Sequence, residues 1–250
     1  MAEFKFLITS IDADDVSGAA TPNPGIYGEG AKVVTFDGET HNTEDTDMLF
    51  LMDAKILNPD ADVNDAKKKV QGVSVSKEWF KQSLNAFTRR QHNGKVLVCV
   101  HGFTVEPAGW MESCDKNLNQ SSVKAFKELN PYVLPVIWPA RQVNYTHTQD
   151  LSANAGKVFG DSISFLDEDS DMSMSVMCHS LGNRTILYFA KQLPLYPTQI
   201  FDHIFLVAAD VWDEAFNERV INNRYVNLIF KTFHTNVHYS PSFVFTIAYQ

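Results

Sequence analysis

Cysteine is scarce in this chain of 250 residues, which carries only Cys99, Cys114 and Cys178. An odd, widely spaced set makes no disulfide framework, and no two of the three form a C-x-x-C pair. Cys99 and Cys178 lie inside apolar runs, where a thiol behaves as a small hydrophobe. The expected setting is therefore a reducing, cytoplasmic compartment. Long apolar runs are also missing. None approaches the roughly 18 residues of a membrane span, so no integral membrane segment is expected. The opening MAEFKFLITSIDADD has no basic stretch ahead of an apolar one and does not read as a secretory signal. Positive charge is in deficit, with 21 Lys and Arg against 30 Asp and Glu and a net charge of −9. An acidic surface repels phosphate backbones, so nucleic acid is not an expected partner. Metal and cofactor signatures are missing too. No H-E-x-x-H occurs, and no His/Cys set has zinc spacing. Asp167-x-Asp169-x-Asp171 opens like a calcium loop, but Met172 and Cys178 stand where Gly and Glu are required. Gly28-x-Gly30 lacks the third glycine and the following helix of a dinucleotide site. No metal and no cofactor is expected.

What is present is an ordinary globular composition, 44% hydrophobic and 20% charged, which excludes a disordered chain. No internal repeat is visible, and the length suits a single domain spanning 1–250. Residues 1–74 read as strands and loops. Glu3–Thr9 alternates like a strand, Ser10–Gly30 is rich in Gly and Pro, and Ala31–Phe36 and Asp47–Met52 are further strands. Asn58–Lys69 is a polar stretch. Val75–Arg90 is an amphipathic helix with Trp79, Phe80, Leu84 and Phe87 on one face and Ser76 as its cap.

Residues 75–220 form the core, in which strands and helices alternate. Val96–Val100 is a continuous apolar run, as expected of a strand buried on both faces. Pro107–Leu129 reads as helix, Tyr132–Trp138 as strand, Thr148–Leu166 as helix and Met172–Cys178 as strand. Asn183–Leu193 (helix), His203–Ala209 (strand) and Asp213–Asn223 (helix) follow. Such alternation predicts a mostly parallel sheet with helical crossovers and the N-terminal strands at its edge. The tail, 225–250, is divergent and apolar, with Lys231 its one charged side chain.

The chemistry-bearing motif is Met177–Gly182, M-C-H-S-L-G, where a buried strand passes directly into a helix. A serine at such a turn projects its hydroxyl above the sheet edge, and small residues flank it because the two backbones nearly touch. Cys178 stands at the first glycine position of G-x-S-x-G, and Gly182 keeps the second. The Leu181 N–H lies at a helix N-terminus, where an anion is stabilised. A second donor follows the other apolar strand in Val100-His101-Gly102-Phe103, where Gly102 permits close approach and the Phe103 N–H would pair with that of Leu181. The structural alternatives are an ordinary helix cap at Ser180 and packing roles for His101 and His179.

VLVCVHGF, VIWPA, SVMCHSLGNRTIL and FDHIFLVAADV, taken in order, resemble successive strand ends of an uncharacterised α/β-hydrolase family of the lipase/esterase type. That family runs as a "VHGF" loop, a "WPS" strand end, a helix with Tyr, Asp and Ala, an "HSMGNR" elbow and an "APDV" strand end. The counterparts here are Val100–Phe103, Trp138–Ala140, Tyr145 with Asp150 and Ala153, His179–Arg184 and Ala208–Val211. The resemblance covers roughly residues 75–220 and implies an α/β-hydrolase-like three-layer sandwich. Ala209 replaces the family's proline. Asn236–Pro241 is similar to the start of the strand that precedes the family's acid, but Ser242-Phe243-Val244 follows it, and no histidine lies beyond His238.

Hydrolases of this fold order their residues Ser, acid, His. Asp210 follows FLVAA at the carboxyl edge of the sheet, with Asp213 the alternative acid. His238 is the preferred base and His234 the alternative. Each has a plainer reading: Asp210 as the cap of the next helix, the histidines as strand residues. Two functions follow. One is a serine hydrolase of small acyl esters or thioesters, with Ser180 as nucleophile. The other is a non-catalytic hydrolase-fold binding protein, or a truncated product, that lacks a complete triad. Little chain remains for a lid after Ala209, which favours small-molecule esters over a lipid interface.

Overall fold

The computed structural model describes residues 2–37, 48–58, 68–121, 124–140, 145–192 and 200–207. Five strands come first, β1 (Glu3–Thr9), β2 (Asp14–Asp15), β3 (Lys32–Phe36), β4 (Leu49–Leu57) and β5 (Lys69–Val75), with a short helix α1 (Pro24–Tyr27) between β2 and β3. Strands and helices then alternate: α2 (Lys77–Gln91), β6 (Lys95–Val100), α3 (Pro107–Cys114), α4 (Lys124–Leu129), β7 (Tyr132–Ile137), α5 (Tyr145–Asp167), β8 (Ser173–His179), α6 (Gly182–Gln192) and β9 (His203–Val207). The described strands join one sheet in the order β2-β3-β5-β4-β1-β7-β6-β8-β9. The β1–β7, β7–β6, β6–β8 and β8–β9 ladders are parallel. The N-terminal ladders are antiparallel, and they include β5, which the sequence pattern does not separate from the polar stretch before it. The result is a mixed α/β sheet with the N-terminal strands at its edge, consistent with the α/β-hydrolase-like sandwich that the resemblance implies.

Helices cover both faces. Phe80 and Leu84 of α2, Phe159 and Ile163 of α5, and Ile186 and Phe189 of α6 bury one core. Trp110, Met111 and Cys114 of α3 bury the other. β6 lies between, and Val96–Val100 is buried on both faces as its apolar run requires. The α2 stripe works as its spacing predicts. Phe80 and Leu84 are buried, and the Ser76 Oγ accepts the Trp79 N–H at 3.2 Å. The predicted helix 107–129 does not run through. After Cys114 it widens into one turn in which the Gln120 N–H donates to the Asp115 carbonyl at 2.9 Å. The Asp115 carboxylate also accepts from the Gln120 side chain at 2.7 Å. Asp115, Asn117 and Asn119 are weak helix formers, which favours a break in this stretch.

β1 is the seam between the two halves. Its ladder with β7 pairs Ile8 and Thr9, so Phe6 lies beyond it. The Tyr132 hydroxyl fills the gap. It accepts the Phe6 N–H at 2.7 Å and donates to the Phe6 carbonyl at 2.8 Å. Next door, the β4–β5 register slips by one residue between Met52 and Lys55. Asp53 sits in that slip with φ 52, and its carboxylate accepts from Lys5 Nζ and the Tyr27 hydroxyl, each at 2.7 Å. The same carboxylate raises the Tyr27 pKa by holding its proton. Before the slip, Phe50 and Met52 belong to the α2-side core; after it, Ala54 and Ile56 belong to the other. No described helix is long and apolar enough to cross a membrane.

Candidate active site

β6 and β8 are parallel neighbours in register up to Val100 and Cys178, so the loops that leave them meet at one edge of the sheet. Ser180 occupies the turn between β8 and α6 with φ 49, in the left-handed region that a residue bearing a Cβ seldom adopts. An ordinary helix cap has extended backbone, so Ser180 does not take the conformation of the plainer alternative. Three bonds hold the turn. The Ser180 N–H donates to the Val207 carbonyl at 2.9 Å, carrying the β8–β9 ladder one residue further. The Ser180 carbonyl accepts from the Asn183 N–H at 3.0 Å and from Asn183 Nδ2 at 2.6 Å.

Two glycines let the loops touch. A Cβ on Gly102 would lie 2.8 Å from the Ser180 Cβ and 2.9 Å from the His179 carbonyl oxygen. A Cβ on Gly182 would lie 2.3 Å from the His101 carbonyl oxygen, a backbone atom with little freedom to yield. Cys178, at the first glycine position of the motif, is fully buried, and burial pushes its thiol pKa up, so it stays protonated. The structure thus brings together Ser180, Leu181, Gly102 and Phe103. Among the described residues, neither the Phe103 nor the Leu181 N–H has a hydrogen-bond acceptor. Phe103 is half-buried and packs edge-on against Tyr145, with ring centroids 5.1 Å apart.

His101 lies under this loop, fully buried. Its Nε2 accepts the Trp138 N–H at 3.1 Å, so the proton sits on Nδ1, which donates to the Gly102 carbonyl at 2.9 Å. The Trp138 indole N–H donates to the His101 carbonyl at 2.8 Å, and the two rings stack 5.6 Å apart. Burial pushes the His101 pKa down to about 4. His179 is exposed at the elbow beside Gly102. Thr104, with φ 59, donates its N–H to the Ala140 carbonyl at 3.1 Å and ties the loop to the end of β7. The Thr104 tether and the Trp138 clamp are missed by sequence reasoning, because nothing in one sequence pairs residues so far apart.

Asp210, Asp213, His234 and His238 lie outside the described residues, as do the predicted helix Asp213–Asn223 and the tail 225–250. Among the described residues, no group of three or more His, Cys, Asp and Glu side chains could hold a metal ion. Residues 76–242 match the model of a family described as alpha/beta hydrolase of unknown function (DUF900). No curated protein and no solved structure matches the chain.

Proposed function

Because the chain belongs to this family of alpha/beta hydrolases of unknown function, we propose that it is a serine hydrolase acting on an ester or thioester of a small acyl group. Ser180 is the nucleophile. The observation that carries this reading is the left-handed backbone of Ser180 at the end of a buried parallel strand, with Gly102 packed against its Cβ. A left-handed serine is uncommon, and at a turn from a buried strand into a helix this backbone presents one side chain in one direction.

The Ser180 hydroxyl attacks the carbonyl carbon, and its proton passes to an imidazole. His238 is the proposed base and Asp210 the acid that orients it, on the chain order Ser, acid, His; His234 and Asp213 are the alternatives. The Phe103 and Leu181 N–H groups meet the charge that develops on the carbonyl oxygen. The tetrahedral intermediate then breaks its C–O or C–S bond. The leaving alkoxide or thiolate takes the proton from the imidazolium, and an acyl ester of Ser180 remains. Water, deprotonated by the same imidazole, attacks this ester, releases the carboxylic acid and restores Ser180.

A fluorophosphonate probe tests the reading. The serine oxygen displaces fluoride to form a stable phosphonyl ester. Wild type should be labelled on one residue, Ser180→Ala should not be labelled, and His238→Ala should label several orders of magnitude more slowly. Equal labelling of wild type and Ser180→Ala would remove Ser180 as the nucleophile. Labelling unchanged by His238→Ala and His234→Ala together would remove both histidines as the base.

A further inference from the structure

We infer that His101 is a positioning residue, which aims the Phe103 N–H at the reacting oxygen by holding the carbonyl of the same peptide group. This rests on the reading of Ser180 as nucleophile and the Phe103 N–H as oxyanion donor. The Gly102 carbonyl and the Phe103 N–H belong to one peptide plane, and in a trans peptide they point in opposite directions. Fixing the carbonyl therefore fixes the N–H.

The carbonyl is fixed by the His101 ring, whose Nδ1–H donates to it at 2.9 Å. That ring stacks on Trp138, at the end of β7, which lies on one side of β6. Gly102 abuts Ser180, at the end of β8, which lies on the other side of β6. With its carbonyl turned toward the β7 side, the peptide turns its N–H toward the β8 side, where Ser180 stands. Glycine at 102 brings no Cβ between them.

The ring is itself prevented from reversing. Flipping it would set the Cε1–H, and moving its proton to Nε2 would set an N–H, against the Trp138 N–H that Nε2 now accepts at 3.1 Å. The Trp138 indole, bonded to the His101 carbonyl at 2.8 Å, holds the backbone of His101 against the same wall. The sequence H-G-F thus encodes a donor and a device for aiming it, with Trp138 as the clamp on the device. An oxyanion donor is worth most when it needs no reorganisation during reaction, and this ring supplies that preorganisation without touching substrate.

The test uses purified full-length chain and the fluorophosphonate probe, with the maximal labelling rate separated from the half-saturating concentration. His101→Leu removes both ring nitrogens, whereas His101→Asn removes the acceptor for Trp138 but keeps a donor where Nδ1 stood. His101→Leu should lower the maximal rate by about 10²-fold, the cost of one misdirected oxyanion donor, with the half-saturating concentration unchanged. His101→Asn should recover to within about tenfold of wild type by restoring that donor. A purely structural role would affect the two variants alike. Equal rates for Leu and Asn, or a wild-type rate in His101→Leu, would overturn the inference. Ser180→Ala in parallel reports on the nucleophile separately: if it still labels, the reading of Ser180 falls and the inference falls with it. Should both His101 variants unfold, nitrogen NMR of the wild-type imidazole decides. A proton on Nδ1 with a bare Nε2 is expected, and the opposite tautomer would overturn the inference with no variant needed.

Discussion

A histidine sealed from water gives up its charge, and His101 does so down to about pH 4. The unfolded chain takes up that proton earlier, near the ordinary value of 6.5. Stability from this residue is therefore fully present above pH 6.5 and falls as pH drops from there toward 4. The loss is about 3 kcal/mol at the lower end. Urea midpoints at pH 7 and pH 4.5 should show it, and the acid loss should shrink in His101→Asn; an equal loss in both proteins would count against the assignment. Gly182→Ala belongs to the same scale. Its Cβ would meet the His101 carbonyl oxygen at 2.3 Å and push the elbow off the loop. Ser180 labelling should then slow by about 10²-fold, as misplacement of order 1 Å does, and an unchanged rate would show that the two loops need not touch. The elbow at Ser180 and its meeting with Gly102 are legible in the sequence because a buried strand running into a helix leaves few geometries for M-C-H-S-L-G. The His101–Trp138 pairing is not, since it joins residues 37 apart in the chain through a fold that one sequence does not display. Asp210 and His238 rest on chain order alone.

At the scale of elements, apolar spacing predicted α2 and β6 well because one is amphipathic and the other is buried on both faces. β5 escaped because Lys69–Val75 carries Gln71, Gly72 and Ser74 among its valines and opens next to a polar stretch. Its strand character comes from pairing on both sides, with β3 and with β4, which no local pattern reveals. The break after Cys114 escaped for the opposite reason: the residues there are compatible with a helix, and the wider turn closes through the carbonyl and carboxylate of Asp115, which accept from the Gln120 backbone and side chain. The β1–β7 seam gives a prediction at this scale. Tyr132→Phe keeps a ring against Phe6 and Phe87 but strips the buried Phe6 N–H and carbonyl of their partner. Buried groups left unpaired cost about 1–3 kcal/mol each. Denaturant titration should show a loss of about 2–6 kcal/mol for the two groups together, and a change near zero would mean that water replaces the hydroxyl.

For the molecule as a whole, β1 joins an antiparallel half to a parallel half that carries Ser180. Phe6 packs on Phe80 of α2 and on Tyr132 of β7, so its ring bridges the two. The halves should therefore open together. Native-state hydrogen exchange should give the slowest amides of β4 and β6 the same opening free energy, and an N-terminal half that opens well before β6 would show that the seam does not couple them. The slip at Asp53 bears on the same coupling through arithmetic. A strand deals its side chains to the two faces by turns, so even-numbered Phe50, Met52, Ala54 and Ile56 would all fall on one face if the alternation were unbroken. One extra residue changes odd for even, and the last two go to the opposite core. In β1, Phe4 and Phe6 divide between the two cores in the same way, on either side of the Lys5–Asp53 bond. The length of this stretch is thus fixed in parity. Losing or gaining a single residue would overfill one core and empty the other, whereas a change of two would keep every later side chain on its own side.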